Sequence, residues 1–199
     1  MLVFWKQRIV FLAVPKTGTT ALEQALLPHA SAAILHPPGQ KHVNLMGYRN
    51  RLSKFFEQRG DRPMRTVAVM REPIDWLGSW YRYRSRPDHS NPEKSTAGMS
   101  FDDFVLAWLS EDQPELARVG SQARFLSDRD GAAGIDYLFR YDRQDALIDF
   151  FEDKLGTSLE LGRENVSPRK ALTLSADVEA RLREEARAEF DLWERLCAN

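Results

Sequence analysis

Two short runs of apolar residues, rich in β-branched side chains, dominate the hydrophobic pattern. Ile9 to Val14 and Thr66 to Met70 show no polar alternation, which predicts strands buried on both faces within a parallel sheet. Each run leads into apolar residues at helical spacing. Pro15 ends the first strand, and a helix is predicted over Thr20 to Leu27, stopped by Pro28. Arg71-Glu72-Pro73 ends the second. A helix follows from Ile74 to about Ser85, with Pro73 in a first turn where its missing N–H costs nothing. One device thus occurs twice: strand, basic residue, helix.

Weaker patterns fill the rest. Ser31 to His36 predicts a short strand closed by Pro37-Pro38-Gly39, and Val43 to Gln58 a helix with Gly60 as its C-terminal cap. Pro87 to Gly98 is polar and aperiodic, a loop. Ser100 caps the next helix, with Asp102 and Asp103 in its first turn and Phe101, Phe104, Val105 and Trp108 as its core stripe. A helical piece spans Gln122 to Asp128, ended by an Asp130-Gly131 turn, and Asp136 to Arg140 is a strand. Asp142 caps a helix that directs Leu147, Phe150, Phe151 and Leu155 inward and stops at Gly156. Ser175 caps a long helix, Ala176 to Leu196, with Val178, Leu182, Ala186, Phe190 and Trp193 on one face. Strands alternating with helices predict an α/β fold, a small, mostly parallel sheet with helices on both faces.

Composition narrows the function classes. At 199 residues the expectation is a single domain over 1–199 with one sizeable core. The net charge of −1 supplies no overall attraction to nucleic acid or to an anionic membrane, so any anion site must be local. A lone cysteine, Cys197, excludes an internal disulfide framework and fits a reducing compartment. No stretch has the length of a membrane-spanning helix, and the first strand begins too early to leave room for a removable signal, so the expected location is cytoplasmic. The histidines and the cysteine show no metal-ligand spacing, and no metal is implied.

The candidate chemistry sits between the first strand and its helix. Pro15-Lys16-Thr17-Gly18-Thr19-Thr20 places a lysine, a glycine and hydroxyl donors where helix amides lack partners and the helix dipole is positive. Such a loop suits a phosphate. An ordinary connection with Thr19 or Thr20 as helix cap is the plainer alternative. The standard nucleoside-triphosphate loop motif is absent, because its lysine must follow the last glycine and here Lys16 precedes the loop's only one. Gln40-Lys41-His42 follows a predicted strand end, the usual ligand side of an open α/β sheet, although a lone histidine there also serves as a cap or surface group. Tyr81 to Arg86 alternates aromatic and basic residues, a pattern that can bind a polyanion, with solvated arginines at a helix C-terminus as the plainer reading.

Two of these stretches together resemble the sulfotransferases that use 3′-phosphoadenosine 5′-phosphosulfate (PAPS). Pro15 to Thr20 resembles their 5′-phosphosulfate loop. Val69 to Tyr81, with Arg71-Glu72-Pro73 and Ser79-Trp80-Tyr81, resembles their 3′-phosphate motif. The strand ending at Arg140, with Tyr141 and Asp142 after it, is similar to the family's segment beyond the cleft, although Asp142 stands where a glutamate is commoner. Lys41-His42 resembles the position where carbohydrate sulfotransferases place a lysine before a catalytic histidine or glutamate.

The resemblance implies a P-loop-like three-layer sulfotransferase fold and transfer of a sulfuryl group from PAPS to a hydroxyl or amine, on a small molecule or a carbohydrate. Nucleic acid is not implied as a partner, nor is a stable membrane anchor. Lys16 would be catalytic and His42 the base, with Glu72 in reserve. Lys16, Thr17, Gly18, Thr19 and Thr20 would hold the 5′ end, and Arg71 and Ser79 the 3′-phosphate. Arg169 and Lys170, in a basic loop before the last helix, would fold over the nucleotide, and 87–98 is a candidate acceptor lid. The two ends of the nucleotide are expected to be read independently. A nucleotide kinase with a divergent loop and a non-catalytic nucleotide- or polyanion-binding module remain as rivals.

Overall fold

The computed structural model describes residues 1–57, 62–87, 91–129, 131, 133–160 and 172–198. The first elements are strands β1 (Leu2–Phe4) and β2 (Ile9–Phe11), helix α1 (Thr19–Leu26) and strand β3 (Ala32–Ala33). Short helices α2 (Pro38–Lys41), α3 (Leu45–Gly47) and α4 (Ser53–Glu57) precede β4 (Arg65–Met70). Helices α5 (Pro73–Arg84), α6 (Phe101–Leu109) and α7 (Gln122–Leu126) come next, then β5 (Tyr137–Arg140). Helices α8 (Gln144–Leu155), α9 (Ala176–Glu185) and α10 (Arg187–Ala198) complete the order. The chain forms two compact units, Met1–Arg71 with Gln122–Val166, and Glu72–Ser121 with Ser167–Ala198.

The first unit is α/β, with a five-stranded sheet of order β3-β1-β2-β4-β5. The pairs β2/β4 and β4/β5 are parallel, whereas β1/β2 and β1/β3 are antiparallel. The sheet is therefore mixed, where a mostly parallel one was expected. The difference comes from β1, an apolar tripeptide too short to read as a strand, which pairs with β2 across a turn closed by Arg8 N–H on the Trp5 carbonyl at 3.2 Å.

Side chains alternate across the sheet. Leu2, Phe4, Ile9, Phe11, Val67 and Val69 face Leu22 and Leu26 of α1 and Leu147 and Phe151 of α8. Phe151 meets Phe4 and Phe11 at ring distances of 5.4 and 5.9 Å. Met1, Val3, Val10 and Leu12 face the other way, onto Leu45, Tyr48 and Phe56. Helices thus cover both faces. The predicted helix 43–58 arrives in pieces, because a π-turn at Tyr48–Leu52 separates α3 from α4. Its proposed Gly60 cap lies outside the described residues, as does Asp130 of the predicted turn.

Two capping expectations change. Helix α8 starts at Gln144 with Arg143 at the cap position. Asp142 is drawn instead into a two-pronged pair with Arg140 (2.9 and 2.6 Å), which holds its carboxyl below the usual range. Ser175 does stand at the cap of α9 but makes no side-chain cap bond.

The second unit is helical. Trp76 and Leu77 of α5, Phe101, Phe104, Val105 and Trp108 of α6, Leu182 of α9 and Phe190 of α10 form its core. Ser100 and Asp103 close the capping box of α6 reciprocally. The predicted last helix is two, broken at Ala186, where φ −104° and ψ 31° leave the helical region. Tyr81 and Arg84 are taken up inside this unit, by the carbonyls of Met99 and Glu115 respectively. Among the described residues, no helix is long and apolar enough to cross a membrane.

Candidate anion-binding site

The site lies in the first unit, where β2 leaves the sheet. Leu12 N–H still bonds the Val67 carbonyl at 2.8 Å, but Val14 N–H turns back to Leu12 at 3.1 Å, so the strand ends before the expected Val14. Lys16 then adopts a left-handed backbone (φ 66°) and Gly18 another (φ 71°). Left-handed residues in a loop turn successive N–H groups toward one concave side, a shape that favours anions. Thr17 between them is fully buried, and its hydroxyl donates to the Val14 carbonyl at 2.9 Å. That hydroxyl closes the turn; it is not the outward-facing donor the loop pattern suggested.

Gly18 is required on two counts. Its positive φ costs any other residue about 1–2 kcal/mol. A Cβ at this position would also stand 3.0 Å from Cε2 of Tyr141 and 3.3 Å from Nε2 of Gln144. Gly18 is itself the N-cap of α1, which has no side-chain cap and no acid in its first turn. Thr19 and Thr20 are therefore helical residues and do not cap. Among the described residues no side-chain oxygen caps the first turn of α1, and that turn carries no acid of its own.

Arg71, the first residue after β4, converges on this loop. Its Nη1 donates to the Lys16 carbonyl at 3.1 Å, and the guanidinium lies 4.4 Å above the Tyr141 ring. The ring of Tyr141 is thus shared between Gly18 and Arg71. Sequence reasoning noted this tyrosine after β5 without giving it a role. Gln122, named there only as the start of a helical piece, was given no role: its buried amide accepts from Arg71 N–H at 2.9 Å and donates to the Arg71 carbonyl at 2.8 Å. No spacing signal marks Gln122, because its partner lies 51 residues away.

His42, just beyond α2, joins the same segment. Its Nδ1 is 2.7 Å from the Ala13 carbonyl. A carbonyl only accepts, so Nδ1 carries the proton and Nε2 keeps its lone pair. Burial pushes the imidazolium pKa below its ordinary value, the Lys41 charge adds to that, and the Ala13 bond and Glu23 oppose it. Lys41 Nζ is 2.7 Å from Glu23 Oε2, so this lysine is tied to α1 through a buried carboxylate.

Lys16, Thr17, Gly18, Thr19, Thr20, Arg71 and His42 therefore belong to one region of one unit. Ser79, half-buried on α5, belongs to the other. Glu72, the reserve base, is the N-cap of α5, its Oε2 accepting from Asp75 N–H at 2.7 Å. Arg169 and Lys170 lie outside the described residues. In the candidate lid, Thr96 is pinned, with its hydroxyl on the Tyr81 carbonyl at 2.9 Å. Among the described residues, no cluster of His, Cys, Asp or Glu could hold a metal ion. Comparison of the chain with protein-family models, with curated proteins and with solved structures returned no match in any of the three.

Proposed function

We propose that this chain is a PAPS-dependent sulfotransferase of the P-loop-like three-layer type, acting on a hydroxyl or amine of a small molecule or carbohydrate. The observation that carries the reading is the convergence of Arg71 on the left-handed loop at Lys16, from the end of a neighbouring parallel strand. A nucleotide with phosphate at both 5′ and 3′ positions needs two cationic contacts close together. Arg71 reaches the backbone of the loop that carries Lys16, so the two residues supply cationic groups from one segment, and the first turn of α1, without a side-chain cap, follows directly.

The donor nucleotide would bring an activated sulfuryl group; the chain's residues would position it and meet the charge that develops. Lys16 and the amides of α1 would bind the 5′-phosphate as it leaves. Arg71 would hold the 3′-phosphate by a forked, charge-assisted contact. His42, with its Nε2 lone pair available at neutral pH, would accept the proton of the acceptor hydroxyl or amine.

Calorimetric titration with 3′,5′-bisphosphoadenosine (PAP) and with 5′-AMP tests the reading. PAP should bind at least tenfold more tightly, since a hydrogen bond to a charged group contributes about 1.5–3 kcal/mol. Equal affinities would refute it. Binding without transfer of label from PAPS to any acceptor in a broad screen would point to a non-catalytic module.

A further inference from the structure

Gln122 opens α7 and is 1% exposed, and among the described residues both bonds of its amide go to Arg71. Its oxygen takes the Arg71 N–H and its nitrogen takes the Arg71 carbonyl, the donor–acceptor pair that an adjacent strand would offer. These bonds fall one residue beyond β4, whose last ladder partner is Met70 opposite Arg140. A primary amide is suited to this because it presents both an acceptor and a donor on one planar fork. A carboxylate has only acceptors and an ammonium only donors. Burying an amide costs free energy unless it is bonded, and here the main-chain N–H and carbonyl of Arg71 supply both bonds.

Among the described residues Gln122 holds the backbone of Arg71, the Lys16 carbonyl takes the edge of its guanidinium, and Tyr141 lies under its face. We propose that Gln122 is a positioning residue that sets the direction in which Arg71 presents its guanidinium. It thereby sets the discrimination between nucleotides with and without a 3′-phosphate. This deepens the reading above and rests on it. The contribution passes entirely through Arg71, and that distinguishes it from a general role in the fold.

The test is a double-mutant cycle of Gln122→Met, Arg71→Ala and the double variant, with PAP and AMP affinities and melting temperature measured for each. Gln122→Met keeps length and volume while removing both hydrogen bonds. Its PAP-over-AMP ratio should fall about tenfold, and in the Arg71→Ala background the same change should leave the ratio unaltered. An unchanged ratio in the single variant overturns the proposal, as does an equal fall in both backgrounds. A lower melting temperature with an unchanged ratio is the signature of a structural role alone, and also overturns it. Should Gln122→Met fail to fold, Gln122→Glu retains the acceptor for Arg71 N–H. An intermediate ratio then supports the proposal and a wild-type ratio sinks it. Equal binding of PAP and AMP by the wild-type protein would remove the nucleotide reading and this proposal together, an outcome that involves no variant.

Discussion

If the proposed site binds the nucleotide, replacing Arg71 with alanine should weaken both of its ends, by unequal amounts. From sequence, the 5′ and 3′ ends were expected to be read independently, so that AMP affinity would hardly change. The bond from Arg71 Nη1 to the Lys16 carbonyl removes that independence. Lys16 holds a left-handed conformation (φ 66°), which costs a residue with a Cβ about 1–2 kcal/mol. Without its brace the loop can relax, and AMP must then restore the shape at its own expense, about a five- to thirtyfold loss. PAP should lose that and its 3′-phosphate contact as well, a further 1.5–3 kcal/mol or so. The total is about 2.5–5 kcal/mol, on the order of a hundred- to several thousandfold. Calorimetry with both ligands on wild type and Arg71→Ala is the assay. Unchanged AMP affinity would refute the brace, and equal losses for PAP and AMP would refute recognition of the 3′-phosphate by Arg71.

Three other outcomes are expected. Lys16→Ala should fold and melt near wild type but lose about a hundred- to a thousandfold in turnover, the usual weight of one charge-stabilising donor; wild-type turnover would exclude the role. His42→Ala should retain PAP affinity and lose roughly 10²–10⁴ in turnover, and equal losses of both would place His42 in the nucleotide site instead. Because burial lowers the His42 pKa below its ordinary 6.5, wild-type turnover should rise with pH through that lowered value and be level above 6.5. The same shift favours the neutral ring in the folded protein. Its share of stability is therefore complete above pH 6.5 and lost as pH falls from there toward the lowered value, a loss that His42→Ala should abolish in melts across that range. Gly18→Ala should cost at least about 1–2 kcal/mol for the left-handed backbone. The approach to Tyr141 at 3.0 Å adds to that, and an unchanged melting temperature would contradict both terms.

The parts legible in the sequence were those with local causes. The apolar runs at 9–14 and 66–70 identified the parallel strands, and the stripe Phe101, Phe104, Val105, Trp108 identified a core helix, because burial on one or both faces leaves a period in the chain. The loop from Pro15 to Thr20 was visible because proline, glycine and lysine carry their conformational and electrostatic meaning residue by residue. Two expectations missed for causes that leave no period in the sequence. Asp142 reads as a cap but is taken by Arg140, only two residues earlier. Helix 43–58 was read as continuous and carries a π-turn with buried Tyr48 at its start.

What the sequence determined by itself is thus the α/β character, the two strand–basic residue–helix units and the chemistry available at each. Only the tertiary structure decided how those groups meet. That β2 and β4 are neighbours brings Arg71 to the Lys16 carbonyl. The position of α7 brings Gln122 to Arg71, and β5 carries Tyr141 between Arg71 and Gly18. The chain from 38 to 42 returns to place His42 on Ala13, which puts the proton on Nδ1 and leaves Nε2 with its lone pair. Each is a contact between residues 29 to 123 positions apart, and hydrogen bonds or ring contacts of that kind leave no periodic trace. A residue's own type limits what it can donate, accept or pack, and folding selects which partner it meets.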